Sequence, residues 1–146
     1  MRPEELVAAL DDEAIVAAIR EAEARSRGEV RVHVAEQEGT DARGDAERVF
    51  ERLGMTGTDE RNGVLLYVAP LTRTIVVIGD RDIDARCGEA FWRAVAEAVG
   101  AEFRAGRFTE GIVAGVRAVG AELARHFPRQ PGEADRNELP DGVSRG

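Results

Sequence analysis

The sequence predicts a three-layer α/β/α sandwich around a small mixed sheet. Two observations lead there. Val64–Ala69 and Thr74–Gly79 are near-continuous apolar runs of strand-forming residues, which implies strands covered on both faces. They sit between segments whose apolar residues recur at helical spacing, so helices are available to supply the cover. The chain has 146 residues, 43% of them hydrophobic, which suits one domain with a sizeable core.

The elements follow in order. Leu10–Arg25 reads as a helix capped by Asp11 or Asp12, with Ile15, Ala18, Ile19 and Ala22 as its stripe and Gly28 as its stop. Glu29–Glu36 alternates, with Val30, Val32 and Val34 on one side and Glu29, Arg31 and His33 on the other. That pattern predicts a strand with one wet face, at a sheet edge. A second helix is expected around Asp45–Leu53, directed inward by Val49, Phe50 and Leu53. The two apolar runs then form a hairpin across Pro70–Arg73. A third helix spans Gly88–Ala105 through Phe91, Val95, Val99 and Phe103. A fourth, capped by Thr109, reaches about Phe127, where Pro128 ends it. Gly111 and Gly115 place small residues on one face of that helix, a sign of close packing. The domain is expected over residues 1–128. Residues 129–146, rich in Pro, Gly and charge, are expected as a flexible tail.

The formal net charge is -8 and the isoelectric point about 4.9. Such a balance argues against nucleic acid or anionic membrane as a partner. All 20 basic residues are arginine, so Schiff-base and phosphate-loop lysine chemistry is excluded. Cys87 is the only cysteine and there are two histidines. This excludes an internal disulfide and a thiolate zinc site, and two histidines with one cysteine cannot make a classical His/Cys site. Cys87 reads as a small buried residue, His33 as a solvated one, and His126 as a cation suited to a helix C-terminus. The first residues carry acids throughout, unlike a signal peptide, and no window reaches transmembrane length; a cytoplasmic monomer is expected.

The hairpin carries the candidate chemistry. Pairing Ala69 with Thr74 sets Asn62 opposite Arg81 and Asp59 opposite Asp84. Asp59 and Glu60 then approach Asp80, Asp82 and Asp84, and carboxylates that close repel unless a cation or a proton relieves them. Asp80-x-Asp82-x-Asp84 opens like an EF-hand loop. The rest fails, because Ala85 stands where the turn glycine belongs and Phe91 where the bidentate glutamate belongs. A non-EF oxygen site for calcium or magnesium remains, built from Asp80, Asn62, Asp82, Asp84 and Asp59. The alternative is that Arg61, Arg73, Arg81 and Arg86 pair with these acids on a wet surface. No GxSxG, HExxH or phosphate-loop motif is present.

The ordered series SRGEVRVHV, GMTGTDERNGVLLYVA, RTIVVIGD, CGEAFW, FRAGRFTEGIVAGVRAVGAELARHFP and DRNELPDGVS resembles the TPM domain, from about Asp11 to Ser144. The positions that match are Arg61, Asn62, Gly63, Gly79, Asp80, Gly88, Phe91, Trp92 and the Asn137–Asp141 segment. The resemblance is closest to short cytosolic bacterial members. It implies an α/β/α domain, divalent-cation binding in some members, weak phosphatase or nucleotide phosphohydrolase activity in others, and adaptor roles in membrane-protein assembly or repair. Asp82 and Asp84 depart from the family pattern, which leaves Asp80 and Asn62 as the firmer ligands. Two functions follow as expectations. One is a calcium- or magnesium-binding domain acting through protein partners. The other is a metal-dependent phosphohydrolase in which Arg61 or Arg81 offsets phosphate charge.

Overall fold

The computed structural model describes residues 3–129 and 142–146. The elements run α1 (Pro3–Ala9), α2 (Asp12–Arg25), β1 (Glu29–Val34), α3 (Ala42–Arg52), a 3-10 turn (Met55–Gly57), β2 (Gly63–Ala69), β3 (Thr74–Gly79), α4 (Arg81–Cys87), α5 (Glu89–Arg104), α6 (Phe108–His126) and β4 (Ser144–Arg145). The sheet is mixed, in the order β3-β2-β1-β4. β1 runs parallel to both β2 and β4, and β2–β3 is the antiparallel hairpin in the expected register, Ala69 opposite Thr74 and Val64 opposite Gly79.

Alternation along the strands builds two cores. Val30, Val32, Val34, Val64, Leu66, Val68 and Val77 meet Ile15, Ile19, Trp92, Val95, Val99, Ile112, Val116 and Leu123 from the helices on one face. Leu65, Tyr67, Ala69 and Ile78 meet Ala46, Val49, Phe50 and Met55 on the other. This is the expected three-layer arrangement. Asp11 caps α2 by accepting from the Ala14 amide at 3.2 Å. Thr109 lies inside α6 instead of capping it. Its hydroxyl accepts from the Asp11 amide at 3.0 Å and so ties the α1–α2 junction to α6.

The first strand differs from expectation. β1 is buried along its whole length, and at His33 and Val34 it is flanked on its second side by the last residues of the chain. Ser144 and Arg145 lie opposite His33 and Val34, so the expected tail contributes an edge strand; residues 130–141, with the Asn137–Asp141 segment, lie outside the described residues. His33 is fully buried rather than solvated. Its ring stacks on Tyr67 at 5.7 Å, Nδ1 bonds the Ser144 hydroxyl at 3.0 Å, and Nε2 bonds the Gly146 carbonyl at 3.2 Å.

Burial lowers the His33 pKa below its ordinary value, with Arg52 and Arg31 adding to the shift and the Gly146 carbonyl and Glu36 opposing it. The folded state therefore binds the proton less readily than the unfolded chain. Stability conferred by neutral His33 is complete above the unfolded pKa of about 6.5 and is lost as pH falls toward the lower folded value. The melting temperature of the wild type is expected to drop between neutrality and mildly acidic pH, and His33→Gln is expected to flatten that part of the profile. Equal slopes in both proteins would show that His33 does not charge on unfolding.

Candidate functional site at the Asn62–Asp80 end of the sheet

The hairpin is anchored where β2 begins and β3 ends. Thr58 organises the approach. Its carbonyl accepts from the Arg61 amide and its hydroxyl from the Asn62 amide, both at 3.3 Å. These bonds hold Arg61 in the left-handed region, φ 50°, which is a strained conformation for a non-glycine residue. The bend turns Asn62 inward, and β2 starts at Gly63, whose carbonyl accepts from the Asp80 amide at 2.8 Å.

Asp80 is the electrostatic centre. It is buried, and the Arg61 guanidinium grips both its oxygens, Nε to Oδ2 at 2.7 Å and Nη2 to Oδ1 at 2.9 Å. Oδ1 also accepts from the Arg81 amide at 2.8 Å, which makes Asp80 the N-cap of α4. A carboxylate offers about four lone-pair positions, and three are used here, leaving room for one more partner.

Asn62 lies beside this pair in the chain and is 1% exposed. Its Nδ2 donates to the Arg27 carbonyl at 3.1 Å, but its Oδ1 is buried with no hydrogen-bond partner among the described residues. Such an orphan acceptor costs about 1–3 kcal/mol. Arg27 closes the neighbourhood through a two-bond pair with Glu60 at 2.9 and 3.1 Å, and through the Pro128 carbonyl at 2.9 Å.

The other predicted ligands disperse. β3 ends at Gly79 because Asp80 starts a helix, so Asp82 and Asp84 travel away on α4 instead of continuing the hairpin. Asp82 accepts from Arg81 Nε at 3.0 Å. Asp84 is exposed and accepts from Trp92 Nε1 at 2.8 Å. Asp59 is exposed on the loop. Among the described residues the only group of three His, Cys, Asp or Glu ligand atoms within 4.8 Å of one another is Cys87, Glu122 and His126. The convergence of acids expected from extending the hairpin is therefore not formed, and arginine pairing provides much of the relief a cation was expected to supply. Neither arginine considered for phosphate is unengaged, since Arg61 holds Asp80 and Arg81 holds Asp82.

Sequence reasoning did not identify Arg27, Glu60 as its partner, or Thr58 as the organiser of the bend. The first two meet only because β1 and β2 run parallel, which sets Arg27 near Asn62. At the opposite end of the sheet Glu38, Asp45, Tyr67 and Thr72 line a small concavity. The Glu38 carboxylate is spent there on the Leu71 and Thr72 amides and the Thr72 hydroxyl.

A family model described as the TPM domain matches residues 2–122. The chain is similar to the BA42 protein of the psychrophilic bacterium Bizionia argentinensis, with 38% identity, a TM-score of 0.84, and 94% of this chain and 96% of that chain covered. It also shares its fold with the N-terminal domain of a protein from P. gingivalis, at 19% identity and a TM-score of 0.61 over 78% of this chain and 75% of that one. The N-terminal domain of the cg2496 protein from Corynebacterium glutamicum gives 17% identity and a TM-score of 0.61 over 84% of this chain and 77% of that one. No curated protein matches the chain. No helix among the described residues is long and apolar enough to cross a membrane.

Proposed function

Because the chain belongs to the TPM domain family, and because its hairpin end holds both a buried carboxylate, Asp80, and an unsatisfied buried oxygen, Asn62 Oδ1, we infer that it is a divalent-cation-binding domain that acts through protein partners. The orphan Oδ1 of Asn62 is the observation that carries this reading: a hard oxygen donor held dry and unpaired is what a calcium or magnesium ion uses. Asp80 supplies the charge through its remaining lone-pair position. Asp59, Asp82 and Asp84 sit on the surrounding loop and helix, from which they reach an ion only through water or by a shift of α4. Waters would fill much of such a shell, as is usual for magnesium. Ion binding would order the Thr58–Gly63 bend, so the surface offered to a partner would depend on the ion. The absence of lysine and the acidic surface favour a protein partner over nucleic acid, and a cytoplasmic monomer fits the same features.

The metal-dependent phosphohydrolase reading has less support. Its two arginines are committed to carboxylates, Arg61 to Asp80 and Arg81 to Asp82.

The test is the melting temperature in chelator, then with calcium and with magnesium, for wild type, Asp80→Asn and Asn62→Leu. An ion at a hundred times its dissociation constant adds about 2.7 kcal/mol, which is several degrees for a domain of this size. The expected result is an ion-specific rise in the wild type that both substitutions remove. Asparagine also caps helices well, so Asp80→Asn keeps the cap of α4 while removing the charge and the paired bonds to Arg61. Absence of any rise at millimolar ion would overturn the reading.

A further inference from the structure

We propose that Cys87, Glu122 and His126 form a zinc site, separate from the Asn62–Asp80 end of the sheet, with three protein ligands and a fourth position left for water. Read from the sequence alone, a single cysteine excludes a thiolate zinc site. The fold supplies the missing third ligand as a carboxylate. Glu122 and His126 are four residues apart on α6, so they share a face. Cys87 is the last residue of α4, which ends there because Gly88 takes φ 83°. The stacking of the Arg86 guanidinium over the Phe127 ring, at 4.7 Å, fixes the end of α4 against the end of α6.

The geometry fits a tetrahedral ion. Cys87 Sγ lies 3.6 Å and His126 Nε2 lies 3.3 Å from the same oxygen, Oε2 of Glu122. With zinc bonds of about 2.3 Å to sulfur and about 2.0–2.2 Å to nitrogen and oxygen, a tetrahedron has a sulfur–oxygen edge of about 3.6 Å and a nitrogen–oxygen edge of about 3.4 Å. Two of the three edges are thus already at their bonded lengths. One ligand atom from each of the three residues lies within 4.8 Å of the others, so a small side-chain rotation closes the remaining edge. The other Glu122 oxygen, Oε1, lies 3.7 Å from Arg125 Nη1.

The donor chemistry selects the metal. Sulfur, imidazole nitrogen and one carboxylate oxygen suit zinc and not calcium or magnesium. Glu122 and His126 side chains are 21% and 19% exposed and Cys87 is half-buried, so an ion can enter and keep a solvent-facing position. Without metal, burial pushes the Cys87 thiol up to about 12, with the Glu122 charge adding to it. Zinc would replace the thiol proton and join α4 to α6.

The experiment is a cobalt(II) titration of the full chain in reducing, chelator-free buffer. It is followed by the sulfur-to-cobalt charge-transfer band in the near ultraviolet, and zinc is then added to displace the cobalt. The expected result is one cobalt per chain, a band absent from Cys87→Ser, and displacement by one equivalent of zinc. His126→Gln should weaken zinc binding by at least about tenfold. Asp80→Asn should leave zinc binding unchanged, so failure here and failure of the calcium or magnesium reading are told apart. No sulfur band in the wild type, or full zinc affinity in both His126→Gln and Glu122→Gln, would overturn the proposal. If a variant loses its helical circular dichroism, the alkylation rate of Cys87 in the wild type decides: protection by zinc supports the site, and equal rates with and without zinc refute it.

Discussion

Trp92→Ala is expected to lower the unfolding free energy by about 3–5 kcal/mol, the range for truncating a large buried aromatic. Trp92 is 2% exposed and fills the space between α5 and the end of β3. A Cβ built at Gly79 would stand 2.4 Å from its ring, so the strand carries glycine there to admit it. Phe91 meets the ring edge-on at 5.2 Å. The indole N–H bond to Asp84 contributes less, because Asp84 is exposed and regains water when the partner is removed. Asp84→Asn should therefore cost about 1 kcal/mol or less, within the usual range for one hydrogen bond. Trp92→Phe, which keeps part of the volume and loses the bond, should fall between the two. Urea denaturation followed by far-ultraviolet circular dichroism is the suitable measurement, since Trp92 is the only tryptophan and its loss removes the fluorescence signal. A loss below about 1 kcal/mol for Trp92→Ala would contradict the packing, since buried aromatic truncations fall well above that value.

Gly120→Ala is the second large effect, and its sign is informative. Alanine is favoured over glycine inside a helix by about 1 kcal/mol, so propensity alone predicts stabilisation. Packing predicts the reverse. A Cβ at Gly120 would lie 2.6 Å from the Ala22 Cβ and 3.2 Å from its Cα, in the seam where α2 and α6 cross. Neither atom can rotate away, so the helices must separate. Overpacking of this kind costs about 1–3 kcal/mol, and we expect net destabilisation, with Gly120→Val worse still. Gly115→Ala should be milder, because its nearest neighbour, Val99 Cγ2 at 2.7 Å, belongs to a side chain with other rotamers. Combining Gly120→Ala with Ala22→Gly moves the methyl across the seam. The double variant should be more stable than the sum of the single effects by at least about 1 kcal/mol, since the two positions touch. Strict additivity would show that the helices are not in contact there.

Much of the fold is legible in local pattern. The hairpin register follows from two apolar runs and a short turn, and the fourth predicted helix follows from Ile112, Val116, Val119 and Leu123. The failures have a common cause in partners distant along the chain. Glu29, Arg31 and His33 alternate with valines, which reads as a wet strand face, yet all six residues of β1 are buried and the His33 ring is held by Ser144 and Gly146. Nothing near His33 announces Ser144. The run Arg81–Cys87 is short, and its alternating aspartates imitate a strand, so α4 was hidden although its cap, Asp80, stood in view. The candidate ligands divide the same way. Asp80 and Asn62 are buried and joined to the strand ends, whereas Asp59, Asp82 and Asp84 depended on extending the hairpin beyond the point where a helix begins. The Cys87, Glu122 and His126 trio was unreadable because 35 residues separate Cys87 from Glu122 and only the α4–α6 contact unites them.

The pairing of β1 with β4 also sets an order of events during synthesis. Ser144 follows His33 by 111 residues. At a translation rate of about 5–20 residues per second, β1 emerges from the ribosome roughly 5–20 s before the strand that covers its edge. During that interval the Val34 carbonyl and the His33 ring lack the partners they take from Gly146 and Ser144. An exposed parallel edge is a template for any extended peptide nearby, a chaperone's client groove or a neighbouring nascent chain included. Premature termination before Ser144 would leave that edge open, so the chain would be released with its sheet unsealed.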